Sequence, residues 1–322
     1  MKIDLNTAKI LNELQYNFPL TPTPFRDIAY NLGISEDYVL KIVRNLMEHK
    51  IIKRIGFTVN YKSQGKVAAL VGVKVSSRED IERLRMELLN NQEVTHNYLR
   101  DDPDFQVWFT IKAPSFEILK NDVAELLENK LKLSDYVILP SKRVCKVSVR
   151  YDLIKGIGWS KPTEQPNDVP KPEEIGIPPT LPREVSRLKP VSRPYLEIAK
   201  KYGLSEEELL NIVRLMLEKG ILRNPGASVD GDKIGFKYNV MTVLNVDDTE
   251  YACKFLKDEV WEASHIVERI VPERWPYPVY FVLHAMKKDV VEEVINNVIR
   301  HLKPISYRKL YSIENLKPGV AR

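Results

Sequence analysis

Two copies of one short pattern, IAYNLGIS at Ile28–Ser35 and IAKKYGLS at Ile198–Ser205, decide the fold of this 322-residue chain. In each copy an apolar helical stripe leads to a glycine that suits the left-handed end of a helix. The serine that follows suits the start of the next helix. Helix, short turn and helix form the outline of a helix-turn-helix. The constant offset of 170 residues between the copies predicts an internal repeat.

The repeat continues beyond these two segments. The tripeptide IVR at 42–44 returns at 212–214, and Gly56 and Gly65 return as Gly226 and Gly235. Downstream of each helix-turn-helix the apolar pattern predicts strand, helix, strand, strand, helix and strand, which is the ferredoxin-like order. The predicted fold class is therefore α+β, with two tandem modules, each a helix-turn-helix followed by a ferredoxin-like βαββαβ domain. The predicted boundaries are 1–62 and 63–155 for the two domains of the first copy, 156–182 for a stiff, extended, proline-rich linker, and 183–232 and 233–322 for the second copy.

The composition excludes few partners. Charged residues make up 29% of the chain, and the formal net charge of +5 permits nucleic acid or an acidic small molecule. The sequence has no apolar run of bilayer-spanning length and no signal-like start, so we expect a cytoplasmic protein with no membrane partner. Cys145 and Cys253 lack metal-ligand spacing, and we expect them to be reduced core residues, one in each half.

The richest candidate site in the second half is SHIVERIVPERWPYPVYFVLHAMKK, at Ser264–Lys288. Its ends have strand-like patterns, and its prolines place the middle in a loop or hairpin at a sheet edge. A hairpin of this composition would suit a flat, aromatic, anionic ligand, whereas the alternative is a structural hairpin around a buried tryptophan. The residues that suggest the ligand are His265, Arg269, Arg274, Trp275 and Tyr277.

A weaker copy of this site lies in the first half. Two-residue alternation places His96, Tyr98 and Arg100 on one face of a strand, and Trp108 follows on the next. His265 again precedes an arginine by four residues, so two pseudo-equivalent His/Arg faces predict a shared cleft. Arginine binds carboxylates in bidentate fashion, and histidine transfers protons near neutral pH or ligates iron. A structural role for each histidine is the alternative.

Three aromatic residues of the second half remain open between binding and packing. Tyr277 and Tyr280 suit either stacking on a ligand ring or packing in the interior. His284 has the same strand parity as Tyr280 and faces either the cleft or the core. The sequence has no phosphate-binding glycine motif, zinc-type Cys/His spacing or nucleophile elbow.

DNA binding is the usual function of a helix-turn-helix, but the charges here oppose it. The third helix of each copy begins with acidic residues, Glu36 and Asp37 in one and 206–208 in the other. These carboxylates stabilise the helix dipole and would repel the phosphate backbone. Most cations lie at the far end of the helices or on the following wing. DNA is therefore the less favoured partner.

The whole arrangement resembles the Lrp/AsnC superfamily. Within it, HNYLRDDPDFQVWFT at 96–110 and SHIVERIVPERWPYPVYFVLHA at 264–285 resemble the signatures of the two siroheme decarboxylase subunits, so the chain resembles a natural fusion of both. The resemblance implies that carbon dioxide is removed from two acetate side chains of siroheme, giving didecarboxysiroheme in an alternative haem or haem d1 pathway. It implies no cofactor, because the substrate carries the iron, and no metal site of the protein's own.

The resemblance also assigns roles to residues. His96 and His265 are expected to be proton donors or axial ligands of the substrate iron, with Arg100 and Arg269 as carboxylate anchors. We expect the two halves to form one intramolecular pseudo-dimer, with a further homodimer left open. The competing functions are an Lrp-like, ligand-responsive DNA-binding regulator, with haem as one candidate ligand, and a tetrapyrrole carrier. The expected substrate-binding residues are Tyr98, Trp108, Arg274, Trp275, Tyr277, Tyr280 and His284.

Overall fold

A computed structural model describes residues 3–162, 166 and 168–318 of the chain. The first module follows the predicted order of a helix-turn-helix, a wing strand and a βαββαβ unit. Its elements are α1 (Leu5–Tyr16), α2 (Pro24–Leu32), α3 (Glu36–Glu48), β1 (Ile52–Val59), β2 (Val67–Val73), α4 (Arg78–Asn90), β3 (Val94–Arg100), β4 (Val107–Ala113), α5 (Phe116–Ala124) and β5 (Tyr136–Val147).

The second module repeats this order after two very short strands, which confirms the predicted tandem α+β architecture. None of the described helices is long and apolar enough to cross a bilayer. The elements are β6 (Tyr151–Asp152), β7 (Ile157–Gly158), α6 (Leu181–Val185), α7 (Leu196–Lys201), α8 (Glu206–Glu218), β8 (Leu222–Val229), β9 (Tyr238–Asn245), α9 (Thr249–Glu259), β10 (His265–Arg269), β11 (Val279–Ala285), α10 (Lys288–Leu302) and β12 (Ser306–Asn315).

The repeated pattern forms the same turn in both modules. Gly33 and Gly203 each have a φ of 67°, the left-handed conformation that glycine tolerates best. The side chains of Ser35 and Ser205 then cap α3 and α8 by accepting a hydrogen bond from the backbone three residues on. Local sequence therefore accounts for both helix-turn-helix units.

The two ferredoxin-like sheets join into one closed barrel. Their strand orders are β5-β2-β4-β3 and β12-β9-β11-β10, and β3 pairs with β12 while β5 pairs with β10. Eight described strands thus form a closed sheet. The backbone hydrogen-bonding groups of strands that would otherwise be exposed sheet edges are therefore paired. Helices α4 and α5 cover one outer face, and α9 and α10 cover the other. The two halves form the expected intramolecular pseudo-dimer.

The wing strands of the two helix-turn-helix units pair with each other, β1 antiparallel to β8. Gly56 and Gly226 lie opposite one another there, with φ values of 135° and 118°. A Cβ on Gly56 would lie 2.5 Å from the Val185 carbonyl oxygen, and one on Gly226 would lie 2.1 Å from that of Leu14. These close approaches show that α1 packs on the second wing and that the end of α6 packs on the first.

The two cysteines correct the sequence analysis. Cys145 and Cys253 form a disulfide, with their Cα atoms 5.9 Å apart, so the prediction that they are reduced is wrong. Pairing of β5 with β10 crosses between the halves and brings α9 against β5. A contact across 108 residues of sequence depends on this closure of the barrel and has no local signal.

The linker predicted for 156–182 also differs from expectation. Ile157 pairs with Ala285 at the edge of β11, Pro172–Ile175 forms one short 3₁₀ turn, and α6 begins at Leu181. Ile177 and Leu181 are buried in the core of the helix-turn-helix domains. The described part of this segment is therefore packed rather than extended, because isolated apolar residues anchor it without a periodic stripe. Residues 163–165 and 167 lie outside the described residues.

Candidate active site

The two histidines singled out by the repeat lie side by side. His96 on β3 and His265 on β10 have ring centroids 5.8 Å apart and planes at 88°. Nδ1 of His96 lies 2.9 Å from the Thr95 hydroxyl, and Nδ1 of His265 lies 3.1 Å from that of Ser264. The geometry thus places one imidazole from each half in a common site.

The tautomer of His265 follows from its neighbour. The Ser264 hydroxyl donates its one proton to the Val282 carbonyl oxygen, 3.1 Å away. With its proton directed at that carbonyl, it accepts from Nδ1–H of His265. In the neutral ring Nε2 is then the nitrogen that accepts a proton or ligates a metal.

The two arginines are each supplied by one half and held by the other. Nη1 of Arg100 donates to the Leu310 carbonyl oxygen at 2.8 Å, and Nη1 of Arg269 donates to that of Leu139 at 3.1 Å. Both arginines are buried. Carbonyl oxygens orient a guanidinium without neutralising its charge, so this arrangement prepares both side chains for an anion.

A tyrosine accompanies each arginine. The guanidinium carbon of Arg100 lies 5.1 Å from the centre of the Tyr98 ring, and that of Arg269 lies 5.2 Å from the Tyr280 ring. The Tyr280 hydroxyl also accepts a hydrogen bond from Nη2 of Arg269 at 2.9 Å. Cation–π contacts of this kind keep the guanidinium planes beside aromatic faces.

These side chains line a cavity of about 800 Å³ between the barrel and the paired wings. This volume lies within the range of about 300–1,000 Å³ that small-molecule sites occupy. Among the described residues the lining includes ten Lys and Arg side chains and three acidic ones. Such an excess of cations favours a ligand with several carboxylates. The predicted site residues in the lining are His96, Tyr98, Arg100, Trp108, His265, Arg269, Tyr280 and His284.

The position of His284 combines both alternatives left open by the sequence. It lines the cavity, yet it is only 5% exposed. Its ring lies 5.4 Å from that of Tyr151 and is nearly perpendicular to it. His284 therefore forms part of the cleft wall while its ring packs against Tyr151.

Three residues predicted to bind the ligand lie outside the lining of this cavity, so a binding role for them stays a prediction. Trp275 is 1% exposed, and its ring centroid lies 4.9 Å from that of Trp108 with the planes tilted by 47°, while the Tyr277 hydroxyl accepts a hydrogen bond from Arg308. Arg274 pairs with Asp135 at 2.9 Å, outside the cavity. The proline-rich loop thus forms a hairpin around a buried tryptophan. It supports the site through Trp108, whose ring faces both the cavity and Trp275.

The sequence analysis does not identify the cations that the wings contribute to the cavity. Arg54 on β1 and Arg223 on β8 belong to the wings, and pairing of the two wings makes both of them lining residues. Burial and the nearby Arg187 lower the pKa of Arg54 to about 10. Burial also lowers the pKa of Lys112, on β4. Lys112 shares strand parity with Trp108, so alternation could have identified it.

Among the described residues, no group of three or more His, Cys, Asp or Glu side chains is arranged to hold a metal ion. The site is built instead from paired imidazoles, guanidinium groups and ammonium groups around a cavity. Its charge and size suit a large organic anion.

Comparison with known proteins agrees with this architecture. The AsnC-like ligand binding domain matches residues 65–146 and 233–317, and the siroheme decarboxylase NirDL-like HTH domain matches residues 7–53 and 190–223. The fold and site therefore define a ligand-binding protein of the AsnC-like class. Within that class, the chain belongs to the siroheme decarboxylase family.

Relatives match the whole chain or one half of it. The siroheme decarboxylase of Hydrogenobacter thermophilus is 27% identical and covers 96% of this chain and 92% of its own. The siroheme decarboxylase alpha subunit of Desulfovibrio desulfuricans is 31% identical, over 46% of this chain and 84% of the subunit. The beta subunit of Oleidesulfovibrio alaskensis is 32% identical, over 38% and 80%. These coverages agree with a fusion of two related subunits.

Solved structures extend the comparison to three dimensions. The crystal structure of the siroheme decarboxylase NirDL superposes with a TM-score of 0.62 at 27% identity, covering 97% of this chain and 92% of that one. A second NirDL structure, in complex with an iron-uroporphyrin III analogue, gives the same TM-score at 26% identity, covering 96% and 91%. That relative binds a carboxylated iron tetrapyrrole.

Proposed function

We propose that this protein is a siroheme decarboxylase, a carboxy-lyase that converts siroheme to didecarboxysiroheme in haem or haem d1 biosynthesis. The observation that carries the proposal is the meeting of His96 and His265, one from each half, in a single cationic cavity. Full-length similarity to siroheme decarboxylases supports the choice of substrate.

The reaction requires a proton and a place for electrons. When an acetate side chain on a pyrrole loses carbon dioxide, the carbon–carbon bond breaks and its electron pair passes toward the conjugated ring. Addition of one proton to the former methylene carbon gives a methyl group. The macrocycle itself accepts the electrons, so we propose that the enzyme uses no cofactor of its own and that the iron belongs to the substrate.

The residues divide the work by charge and position. Arg100 and Arg269, fixed by backbone carbonyls of the opposite half, anchor carboxylates of the macrocycle. Closure of the cavity by the paired wings removes water from the reacting carboxylate, which favours its release as neutral carbon dioxide. His96 and His265 supply the proton or ligate the iron of the substrate.

The regulator alternative receives less support from the same geometry. The wings pair with each other above the cavity. The recognition-type helices α3 and α8 begin with two and three acidic residues, which would face phosphates. We therefore propose siroheme rather than DNA as the partner, and a cytoplasmic location, as expected from the sequence.

Anaerobic incubation with siroheme, followed by mass spectrometry of the tetrapyrrole, tests the proposal. We expect the product to be lighter by two carbon dioxide molecules and the absorption spectrum to shift on binding. Bound siroheme of unchanged mass would indicate a carrier. Salt-sensitive binding to promoter DNA without turnover would indicate a regulator. Either of these outcomes would refute the decarboxylase assignment.

A further inference from the structure

The near-twofold symmetry of the cleft breaks in charge where Lys112 corresponds to His284. Lys112 follows Trp108 by four residues on β4, as His284 follows Tyr280 on β11. All four side chains line the cavity. The symmetry that matches the two histidines and the two arginines therefore places an ammonium group on one wall and an imidazole on the other.

The corner around Lys112 is strongly charged. Its Nζ lies 5.9 Å from the centre of the Tyr61 ring, and nearby Lys66 pairs with Glu93 at 2.5 Å. Arg223 reaches the same cavity from the wing of the second half, and its Nε is buried with no hydrogen-bond partner among the described residues. Three cations thus share this corner with one carboxylate.

The opposite corner, beside His284, contains two aromatic rings. Tyr151 lies 5.4 Å from the His284 ring and 4.8 Å from the Phe236 ring. It also occupies the space beside Gly231, where an added Cβ would approach the Tyr151 ring to 2.6 Å. The two ends of the cleft therefore differ in net charge. Cations outnumber carboxylates around Lys112, whereas near His284 and Tyr151 the cavity is lined by Lys53, which pairs with Asp230 at 3.6 Å, and by Asp232.

The charges in the cationic corner act on each other. Burial lowers the pKa of Lys112, and the neighbouring Lys66 and Arg223 lower it further, whereas Glu93 raises it. Burial likewise lowers the pKa of Arg223. Desolvated cations that repel one another gain stability when an anion lies between them.

The backbone fixes Arg223 in this position. The next residue, Asn224, has a φ of 49°, and its side-chain amide donates to the Val147 carbonyl oxygen at 3.1 Å. Val147 lies opposite His265 in the pairing of β5 with β10. The wing that carries Arg223 is thus tied to the strand partner of a site histidine.

We propose that Lys112 and Arg223 form a carboxylate-binding subsite that holds a non-reacting side chain of the macrocycle. This deepens the proposed function and rests on it. A tetrapyrrole with carboxylates around its rim has two nearly equivalent ways to enter a pseudo-twofold cleft. An excess of cations at one end of the cleft selects one of them, and so determines which acetates reach His96 and His265.

The test compares Lys112→Met and Arg223→Met with Lys237→Met. Lys237 is exposed and outside the cavity, so the control removes the same charge without touching the subsite. Binding of metal-free uroporphyrin III is measured by absorbance, and singly decarboxylated siroheme isomers are separated after partial turnover. We expect the dissociation constant to rise about 10- to 100-fold in each subsite variant. We also expect an altered isomer ratio in both and no change in the control.

Wild-type affinity and isomer ratio in both variants would overturn the subsite. If Arg223→Met fails to fold, Arg223→Lys, which keeps the charge and loses the planar fork, takes its place beside Lys112→Met. Weakened uroporphyrin binding in the variants, together with a wild-type protein that leaves siroheme intact, would refute the decarboxylase proposal while supporting the anion subsite. A loss confined to turnover, with uroporphyrin binding unchanged, would count against the subsite.

Discussion

Among single residues, the imidazole pair of His96 and His265 is the basis of the proposed function. His96 and His265 are far apart in sequence, and each has a hydroxyl neighbour at Nδ1. Alternation along the strands could predict that each histidine shares a face with an arginine four residues on. It could not predict the distance between the rings, because that distance depends on how two separate sheets close into a barrel.

Replacing either histidine tests its role in the chemistry. We expect His96→Ala and His265→Ala each to lower the rate of decarboxylation about 10²- to 10⁴-fold, the usual contribution of a positioned proton donor. Product formation from siroheme under anaerobic conditions, followed by mass spectrometry, measures the loss. His49→Ala is the matched control, because His49 is exposed at the end of α3. Full activity in both site variants would remove the imidazoles from the mechanism.

A buried lysine outside the cavity predicts a pH dependence of stability. Lys146 is 1% exposed and donates to the carbonyl oxygens of Ser160 and Trp261. Burial lowers its pKa to about 8, below its unfolded value of about 10.4. Between these two values the unfolded chain binds the extra proton, so the free energy of unfolding should rise with pH.

Lys146→Met isolates this effect. At about 1.36 kcal/mol per pKa unit, the gain for wild type across this pH window is up to about 3 kcal/mol relative to the variant. Urea unfolding at several pH values measures it. Parallel stability curves for wild type and Lys146→Met would show that Lys146 titrates normally.

The paired wings are the most informative feature at the scale of elements. Each wing is a short strand after a helix-turn-helix, and the sequence predicts cations on it. Pairing of β1 with β8 changes its meaning, because Arg54 and Arg223 then face the cavity. The repeat in the sequence identifies Gly56 and Gly226, which permit the pairing. It does not predict that these glycines contact α6 and α1.

Gly226→Ala should disrupt this arrangement. A Cβ there would meet the Leu14 carbonyl oxygen at 2.1 Å, in addition to the strain of a φ of 118°. Gly203→Ala is the control, since its φ of 67° carries conformational strain but no atom of the part of the chain that the structure describes lies within 4 Å of the new Cβ. We expect Gly203→Ala to cost about 1 kcal/mol of stability and Gly226→Ala at least 2 kcal/mol more. Equal losses in thermal unfolding would contradict the close packing of α1 on the wing.

At the scale of the whole molecule, the sequence predicts two copies and one shared cleft, and the structure shows how they combine. The barrel closes through strand pairs between the halves, and Cys145–Cys253 adds a covalent link between them. The disulfide and the packed segment after 156 escaped prediction because both depend on contacts distant in sequence. Local signals specify the elements, whereas closure of the barrel specifies the site.

Removing the disulfide should weaken the molecule without dismantling the site. The bridge spans 108 residues, so Cys145→Ser with Cys253→Ser should lower the free energy of unfolding by about 2–5 kcal/mol. Pairing of β3 with β12 and of β5 with β10 should still hold the halves together at moderate temperature. Thermal unfolding with and without a reductant measures the loss. Unchanged stability in reductant would show that the bridge contributes nothing to the fold.

We propose that the two halves of the chain build a single site for one macrocycle. Spectroscopic titration of the full chain with siroheme under anaerobic conditions, read as the bound molar ratio, tests it most directly. We expect one siroheme to bind per chain, and replacement of either Arg100 or Arg269 should reduce the affinity for siroheme. Residues of both halves line one cavity. A ratio of two siroheme molecules per chain, each lost on replacement of only one arginine, would therefore contradict a single shared site.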